Sequence, residues 1–484
     1  MNIVVIGMGY VGIPCAALLA DVPEFTVTGV QRRSERSGWK IDCLNGGRSP
    51  FEGDEPGLAD LLERVACHKK SFCVTEDYSV CAQADAILLD VQTPTDGDHV
   101  PHYESLREVA AQAGRHLRPG TLVIVESTVA PGTTLNVVQP ILEQESGLQA
   151  GDGGFYLAFS YERVMPGKLL AYITDFPRVV GGVDGESTAR AVALYRHIVK
   201  AEITPTDVLT AEMAKVVENA YRDVNIAFAN EVALACEAMG VDVYEVRRLI
   251  NARPDRNVHL PGAGVGGHCL PKDSWLLAYG LAAYGQQGAG HRERGNSGLA
   301  DSGSGESVPV PSPLLRIIPL AREINDGMPG HMLALIEDAL AEAGRALAGS
   351  KVVLLGASYL ENADDTRNTP AAALARLLLA RGAEVIAHDP HVRHADWKRA
   401  LDGVEVPLLH DLGEALRGAD CAAVVTAHRE YLALDPAWAA TTMRTAAVVD
   451  GRSALEAGAW RGAGVAFRGL GKGSAARLAR GTAR

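Results

Sequence analysis

Residues 2–12 read NIVVIGMGYVG, and this stretch decides the fold. Ile3 to Ile6 form a short apolar β-type run that passes into Gly7-Met8-Gly9-Tyr10-Val11-Gly12, and an Ala- and Leu-rich helical segment follows to Ala20. Strand, glycine turn and helix in that order are the context of a dinucleotide site. Gly7 makes the tight turn, Gly9 admits the pyrophosphate, and Gly12 lets the helix pack on the strand. Tyr10 and Val11 complete the cofactor loop. The pyrophosphate would rest on the helix N-terminus, where free N–H groups point at it.

Working outward, the second strand, Thr26 to Val30, should end in an acid that holds the adenosine ribose. It ends in Gln31, followed by Arg32 and Arg33. An arginine without an acid is the pattern that accommodates a 2′-phosphate, so spacing leaves NADP open beside NAD. Strands are expected at Ala86–Val91 and Leu122–Glu126. Each runs into polar residues that place Thr93 and Thr128 at strand carboxyl ends, where open α/β sheets bind ligands.

The totals fit a large globular chain. At 484 residues with 47% hydrophobic and 22% charged residues, about three domains are expected. A net charge of −13 argues against nucleic acid as a partner, since such proteins carry a basic patch. No two of the eight cysteines stand at CxxC spacing, which removes support for zinc ribbons and thioredoxin-type motifs, and no metal is expected. The opening residues carry no basic, apolar leader and no run of membrane-spanning length. A cytoplasmic protein without membrane contact is the expectation.

Three further stretches carry chemistry. Phe159 to Lys168 (FSYERVMPGK) is a strand end rich in chargeable groups, including Glu162 and Arg163. From Thr210 a long helix begins, TAEMAKVVENAYRDVNIAFANEVALACEAMG. Lys215 and Asn219, four apart, share one face, with Arg222 close to it. Such groups on an otherwise apolar helix are costly to bury unless something anionic meets them. Pro261 to Asp273 reads PGAGVGGHCLPKD. Gly262, Gly264, Gly266 and Gly267 let backbone N–H groups approach a ligand. Cys269 stands beside them, with Lys272 and Asp273 one turn on, the parts of a covalent catalytic site. A buried cysteine in a glycine-rich turn is the alternative.

Residues 285–312 are rich in Gly, Ser and polar side chains and read as a flexible insertion. A helix resumes over Leu314 to Asn325. A second Rossmann-like unit then begins, with strands at Lys351–Leu355 and Glu384–Ala387 around a helix at Ala371–Ala380. It lacks GxGxxG, so it is expected to bind something other than a dinucleotide. The basic tail from Lys472 reads as frayed.

In combination, GMGYVG, ESTVAPGTT, YERVMPG, ENAYRDVNIAFANE, GVGGHCLPKD, AREIND, DDTRNTP and HDP span almost the whole chain. In this order the chain resembles the nucleotide-sugar 6-dehydrogenase family, whose members oxidise UDP-glucose, GDP-mannose and UDP-N-acetylhexosamines. GGHC and YRDVNIAFANE look most like the UDP-N-acetylhexosamine branch, with UDP-N-acetyl-D-mannosamine the first expected substrate. Tyr161 stands where the family usually has proline, Gln31 where it has an acid, and the 285–312 insertion is longer than the family pattern. A sub-branch with Gln-Arg after the second strand keeps NAD, so NAD is the expected cofactor.

The resemblance implies an α/β fold of two Rossmann-like doubly wound domains joined by a long-helix central domain: residues 1–207 for NAD, 208–330 central, and 331–484 for the UDP-sugar. It implies a homodimer through the central helix. It implies twofold oxidation of the sugar C6 hydroxyl with two NAD+ per turnover, through a thiohemiacetal and thioester on Cys269. Lys215 and Asn219 would face the developing alkoxide. Asp273 would serve the attacking water, with Glu162 and Thr128 assisting. Arg163, Val164, Lys215, Asn219, Arg222, His259, Gly262, Gly266, Lys272 and Arg367 would contact substrate. His268 adjoins the nucleophile in a positioning or packing role. Three other readings compete: a UDP-glucose or GDP-mannose 6-dehydrogenase, a single-step hydroxyacid or polyol-phosphate dehydrogenase, which has no need of Cys269, and a catalytically silent nucleotide-sugar-binding protein.

Overall fold

The computed structural model describes residues 1–34, 37–51, 55–151, 153–285 and 314–473. The expected insertion at 285–312, beyond its first residue, and the tail beyond residue 473 lie outside the described residues. The chain divides into two compact units, Met1–Glu218 with Trp275–Leu314, and Asn219–Ser274 with Leu315–Arg484.

The first unit holds an eight-stranded sheet. Its strands are β1 (Asn2–Ile6), β2 (Thr26–Val30), β3 (Phe72–Thr75), β4 (Ala86–Leu89), β5 (Leu122–Val125), β6 (Tyr156–Phe159), β7 (Arg178–Gly182) and β8 (Ile203–Asp207). Their order is β3-β2-β1-β4-β5-β6-β7-β8. Every pairing is parallel except β6 with β7. The first six strands thus follow the 3-2-1-4-5-6 order of a dinucleotide fold. Strands β4 and β5 read AILL and LVIV and are buried at every position. Continuous apolar runs of this kind mark parallel strands covered on both faces.

The second unit repeats the plan with β9 (Lys351–Leu355), β10 (Glu384–His388), β11 (Leu408–Leu409), β12 (Cys421–Val424), β13 (Ala447–Asp450) and β14 (Ala466–Gly469). The order β11-β10-β9-β12-β13-β14 is again 3-2-1-4-5-6, parallel throughout. The doubly wound expectation holds for both sheets.

One helix, Val208–Met239, runs 32 residues, about 48 Å at 1.5 Å per residue. It buries small residues, among them Ala211, Ala220, Ala227 and Ala233, while Leu209, Met213, Val217 and Tyr221 stay exposed at a spacing of four. A second helix, Ile317–Glu342, outlasts the expected end at Asn325 and passes through Pro329. Met328, Met332, Leu335 and Ile336 are buried beyond that point in the second unit's core. Their burial outweighs the loss of one backbone donor, which costs ~3 kcal/mol in a helix interior. No helix among the described residues is long and apolar enough to cross a membrane.

The glycine turn after β1 is spatially tight at two of its three glycines. Gly7 has φ +112°, and a Cβ there would strike the carbonyl of Asp90. A Cβ on Gly12 would strike the carbonyl of Gly7, whereas one on Gly9 would meet no atom within 4 Å. Gly12→Ala is therefore expected to cost ~1–3 kcal/mol, as overpacking does, read as a lower urea midpoint at unchanged slope. Gly9→Ala should leave the midpoint within ~0.5 kcal/mol, as an uncrowded substitution does, while weakening dinucleotide binding.

Candidate active site

In the first unit the Gly7 N–H donates to Val30 O at 2.9 Å, which fixes the turn between β1 and β2. Helix Gly12–Asp21 follows with its N-terminus behind the turn. The open space at Gly9 is what a pyrophosphate requires. Gln31, in place of an acid, is woven into this loop: its Oε1 accepts from Met8 N at 3.2 Å and its Nε2 donates to Ser37 Oγ at 3.1 Å. Arg32 is exposed and reaches Glu108 at 3.9 Å. Tyr10 stacks on Phe51 with centroids 4.5 Å apart. Lys40, not singled out in the sequence, donates its Nζ to Met8 O at 3.0 Å, and burial depresses its ammonium below the usual lysine range. At the ends of β4 and β5, Thr93 Oγ1 donates to Thr128 O at 2.6 Å, so the two expected groove threonines do come together.

Glu162, just past β6, is buried, and its carboxylate meets the Arg178 guanidinium. Its backbone carbonyl accepts from Lys215 Nζ at 2.9 Å. Tyr161 lies between two cations, with Lys215 Nζ 5.2 Å and the Arg163 guanidinium 5.1 Å from its ring centroid. Burial pushes its phenol up to about 12, so it stays a neutral donor, to Glu218 at 3.3 Å. The Arg163 fork is occupied within the protein by Glu218 at 2.9 Å, by Tyr161 at 2.9 Å and by Pro177 O. Val164 packs against the first unit's core.

In the second unit Cys269 is exposed, immediately before helix Leu270–Tyr284. The amides of Lys272 and Asp273 donate to the Cys269 carbonyl at 3.0 and 2.8 Å, which brings the fully buried Asp273 back beside the thiol's own residue. Asp273 Oδ2 accepts from Asn219 Nδ2 at 2.5 Å, and its Oδ1 lies 3.2 Å from Lys272 Nζ. Burial pushes the imidazole of His268 down to about 4, with Lys272 and Arg367 adding in the same direction. The residue beside Cys269 is thus a neutral imidazole at neutral pH.

The glycine loop is held at several points. Gly264 and Gly267 have φ of +133° and +89°. Gly267 N donates to Arg367 O at 2.8 Å, and Asn368 Nδ2 donates to Gly267 O at 3.0 Å. A Cβ at Gly266 would overlap the Tyr359 side chain. Gly262 N donates to Asn230 Oδ1 at 2.9 Å, and the Arg452 guanidinium lies against the Gly262 Cα. Arg367 itself forks onto Asp365, with Nε at 2.9 Å and Nη2 at 2.5 Å. Arg222 is exposed on the long helix and lies near enough to His259 to help lower it, behind burial as the first cause and with Arg247 as the third. Arg452, Tyr359, Asn230, Lys40 and Arg178 were missed in the sequence. Only Arg452, two residues past β13, stood where the strand-end rule points.

A dinucleotide turn at the head of a 3-2-1-4-5-6 sheet, with a separate loop offering an exposed thiol near a buried carboxylate, defines a dinucleotide-dependent oxidoreductase. The UDP-glucose/GDP-mannose dehydrogenase family matches in three parts: its NAD binding domain over residues 1–199, its central domain over 209–290 and its UDP binding domain over 353–457. The UDP-N-acetyl-D-mannosamine dehydrogenase of Pyrococcus horikoshii is 34% identical over 474 residues, covering 98% of this chain and all of that one. Among solved structures, an NDP-N-acetyl-D-galactosaminuronic acid dehydrogenase from Methanosarcina mazei is 40% identical, with TM-score 0.81 over 98% of this chain and 95% of that one. A UDP-glucose dehydrogenase from Pyrobaculum islandicum is 26% identical, with TM-score 0.78 over 98% of each. This chain belongs to the UDP-glucose/GDP-mannose dehydrogenase family: it is an NAD-dependent enzyme that oxidises a UDP-sugar.

The depressed His268 gives a pH signature. Below its unfolded pKa of ~6.5 the unfolded chain binds a proton that the folded chain refuses down to about 4. Stability therefore falls as pH drops through that window, by up to ~1.4 kcal/mol per pH unit from this group. His268→Gln should flatten that part of a stability-against-pH curve; an unchanged slope between pH 6.5 and 4 counts against the assignment.

Proposed function

We propose that this enzyme oxidises the C6 hydroxyl of a UDP-N-acetylhexosamine twice, UDP-N-acetyl-D-mannosamine first, giving the uronate through a covalent Cys269 intermediate. The observation that carries this reading is the exposed thiol of Cys269 set one helical turn from Asp273, which is held by Asn219 and Lys272. A single oxidation of an alcohol needs neither a nucleophile nor a positioned acid for hydrolysis.

NAD+ supplies the hydride acceptor for each oxidation, two equivalents per turnover, and the Gly7–Gly12 loop with Gln31, Lys40, Thr93 and Thr128 would hold it. Lys215 and Asn219 stabilise the alkoxide that forms as the C6 hydroxyl loses its proton. The Cys269 sulfur adds to the aldehyde carbon, and the resulting thiohemiacetal is oxidised to a thioester. Asp273 orients the water that cleaves it, releasing carboxylate and free thiol. Glu162 and Thr128 support a proton-carrying water. Splitting the four-electron change at a covalent intermediate makes each step accessible. Gly262, Gly266, Lys272 and Arg367 are the proposed substrate contacts of the glycine loop and its neighbours, with Arg452 added by its place against Gly262. Arg163, Val164, Arg222 and His259 complete the proposed set.

The 40% identity to a galactosaminuronate-forming enzyme favours a second reading of the sugar, UDP-N-acetyl-D-galactosamine, with the same chemistry. NADH formation at 340 nm with both sugars, UDP-N-acetylglucosamine, UDP-glucose and GDP-mannose decides it. The expected result is two NADH per molecule of an acetamido sugar. One equivalent from every sugar would remove the thioester step, and preference for UDP-glucose would remove the branch. Lys215→Ala should lower kcat by ~10²–10³, as loss of one oxyanion donor does, and Cys269→Ala should abolish steady-state uronate formation while the UDP-sugar still binds.

We also infer a homodimer through the exposed Leu209, Met213, Val217 and Tyr221 stripe with Phe228, since an apolar face of this length marks an interaction surface. Light scattering should give twice the chain mass, and Tyr221→Glu with Phe228→Glu should halve it. A wild-type monomer at micromolar concentration excludes this interface.

A further inference from the structure

Seven side chains of the first unit form a buried cluster at the carboxyl ends of β4 to β6, where β7 enters antiparallel beside them. At its centre is Arg178, 3% exposed. Its Nη2 donates to Glu126 Oε1 at 2.5 Å, its Nε to Ser160 Oγ at 2.8 Å, and its Nη1 to Glu162 Oε1. The guanidinium carbon lies 3.4 Å from the Tyr195 ring centroid, and the Tyr195 hydroxyl donates to the same Glu126 oxygen at 2.6 Å. Cys15 Sγ closes on Glu126 Oε1 at 3.8 Å. Asp90 faces this group, its buried carboxyl set against that of Glu126. Burial, then the Glu126 charge, push the Asp90 carboxyl well above the usual carboxylate range. Glu126 and Glu162 share one guanidinium.

We propose that Arg178 is a positioning residue for the oxidation: anchored on Glu126, Ser160 and Tyr195, it pins Glu162 as a carboxylate in a single orientation. The guanidinium fork is planar and rigid, so an oxygen bound to one of its nitrogens is fixed in direction as well as distance. Glu126 is the anchor and Glu162 the group presented. Glu162 Oε1 is held by Arg178, its backbone carbonyl holds Lys215, and Oε2 remains to accept from a water or from substrate. One cation thus sets the geometry of the Glu162 carboxyl, on the residue whose backbone carbonyl holds Lys215. The bland alternative is a buried ion cluster that only ties the antiparallel β7 to the sheet.

The inference rests on the Glu162 role proposed above, and a double-mutant cycle separates the two. Glu162→Gln alone is expected to lower kcat by ~10²–10⁴, as loss of a positioned proton-transfer group does. Arg178→Lys, which keeps the charge and loses the fork, is expected to lower kcat about tenfold, with KM for the UDP-sugar within twofold and NAD-binding stoichiometry unchanged. In the Glu162→Gln background the same substitution should change kcat less than twofold, because residues acting as a unit are not additive. An equal loss in both backgrounds, with folding intact, overturns the positioning role and leaves the structural one. Full kcat for Glu162→Gln overturns the Glu162 assignment and the inference with it. If Arg178→Lys does not fold, Ser160→Ala removes the Nε acceptor together with the Oγ donation to Val179 O, leaves the guanidinium in place, and enters the same cycle. It should cost kcat several-fold in the wild-type background alone, and no loss there would equally overturn the inference.

Discussion

Charge withdrawn from water has to be matched, and in both units the matching sets where the chemistry-bearing groups can stand. Arg178 is met by Glu126 and Glu162, Arg322 by Asp223 and Asp326, Asp389 by His428, and Asp273 by Asn219 and Lys272. Removing one member of such a pair typically costs ~3–5 kcal/mol, because the other is left charged and dry. Strands covered on both faces have no room for such groups within them. The matched sets therefore gather at strand ends and on the two long helices, which are also the places where a Rossmann sheet receives ligands.

That constraint divides the labour among residues. In the second unit a chain of hydrogen bonds runs from Arg322 to Asp223, from Asp223 to Asn325, from Asn325 to Asn230 and on to the Gly262 amide. Two helices thereby dictate the start of the glycine loop. Its end is dictated by Arg367 O and Asn368. Two residues past that end stands the exposed Cys269. The nucleophile role proposed for Cys269 requires it to reach substrate, and it is accessible while Gly262, Gly267 and Asp273 around it are held. His268, neutral through burial and the neighbouring Lys272 and Arg367, offers Cys269 no imidazolium; the cations at this loop are Lys272, held by Asp273, with Arg367 and Arg452.

Much of the fold was legible because it depends on local pattern. The β1 run, the glycine turn and the 32-residue helix declare themselves by periodicity and by glycine placement, and the second sheet by its spacing of strand and helix. Several candidate site residues stand out for the same reason: Lys215 and Asn219 by helical phase, Thr93 and Thr128 as strand-end residues. Arg178 was not, because its partners at 126, 160 and 162 meet it only after β7 reverses direction beside β6, and no sequence period encodes that reversal. Arg452 and Tyr359 are placed by the second sheet's order, and Lys40 by a carbonyl 32 residues away. The end of the second long helix was misjudged since Pro329 reads locally as a stop, while the core residues beyond it favour continuation.

Tyr161 shows how a departure from the family pattern fits the same physics. A proline before Glu162 would stiffen the backbone that presents both the Glu162 carboxylate and the carbonyl gripping Lys215. A tyrosine gives up that stiffness, and its side chain supplies another restraint. The buried ring lies beside the Lys215 ammonium and the Arg163 guanidinium, and its hydroxyl donates to Glu218, which also takes the Arg163 fork. Cation–π contacts gain strength when desolvated, reaching ~2 kcal/mol, and this ring is 2% exposed. The backbone restraint that proline gives through φ is here replaced by side-chain packing around two cations. Lys215 keeps its place at Glu162 O, and Arg163 becomes part of the support of the site from the protein side.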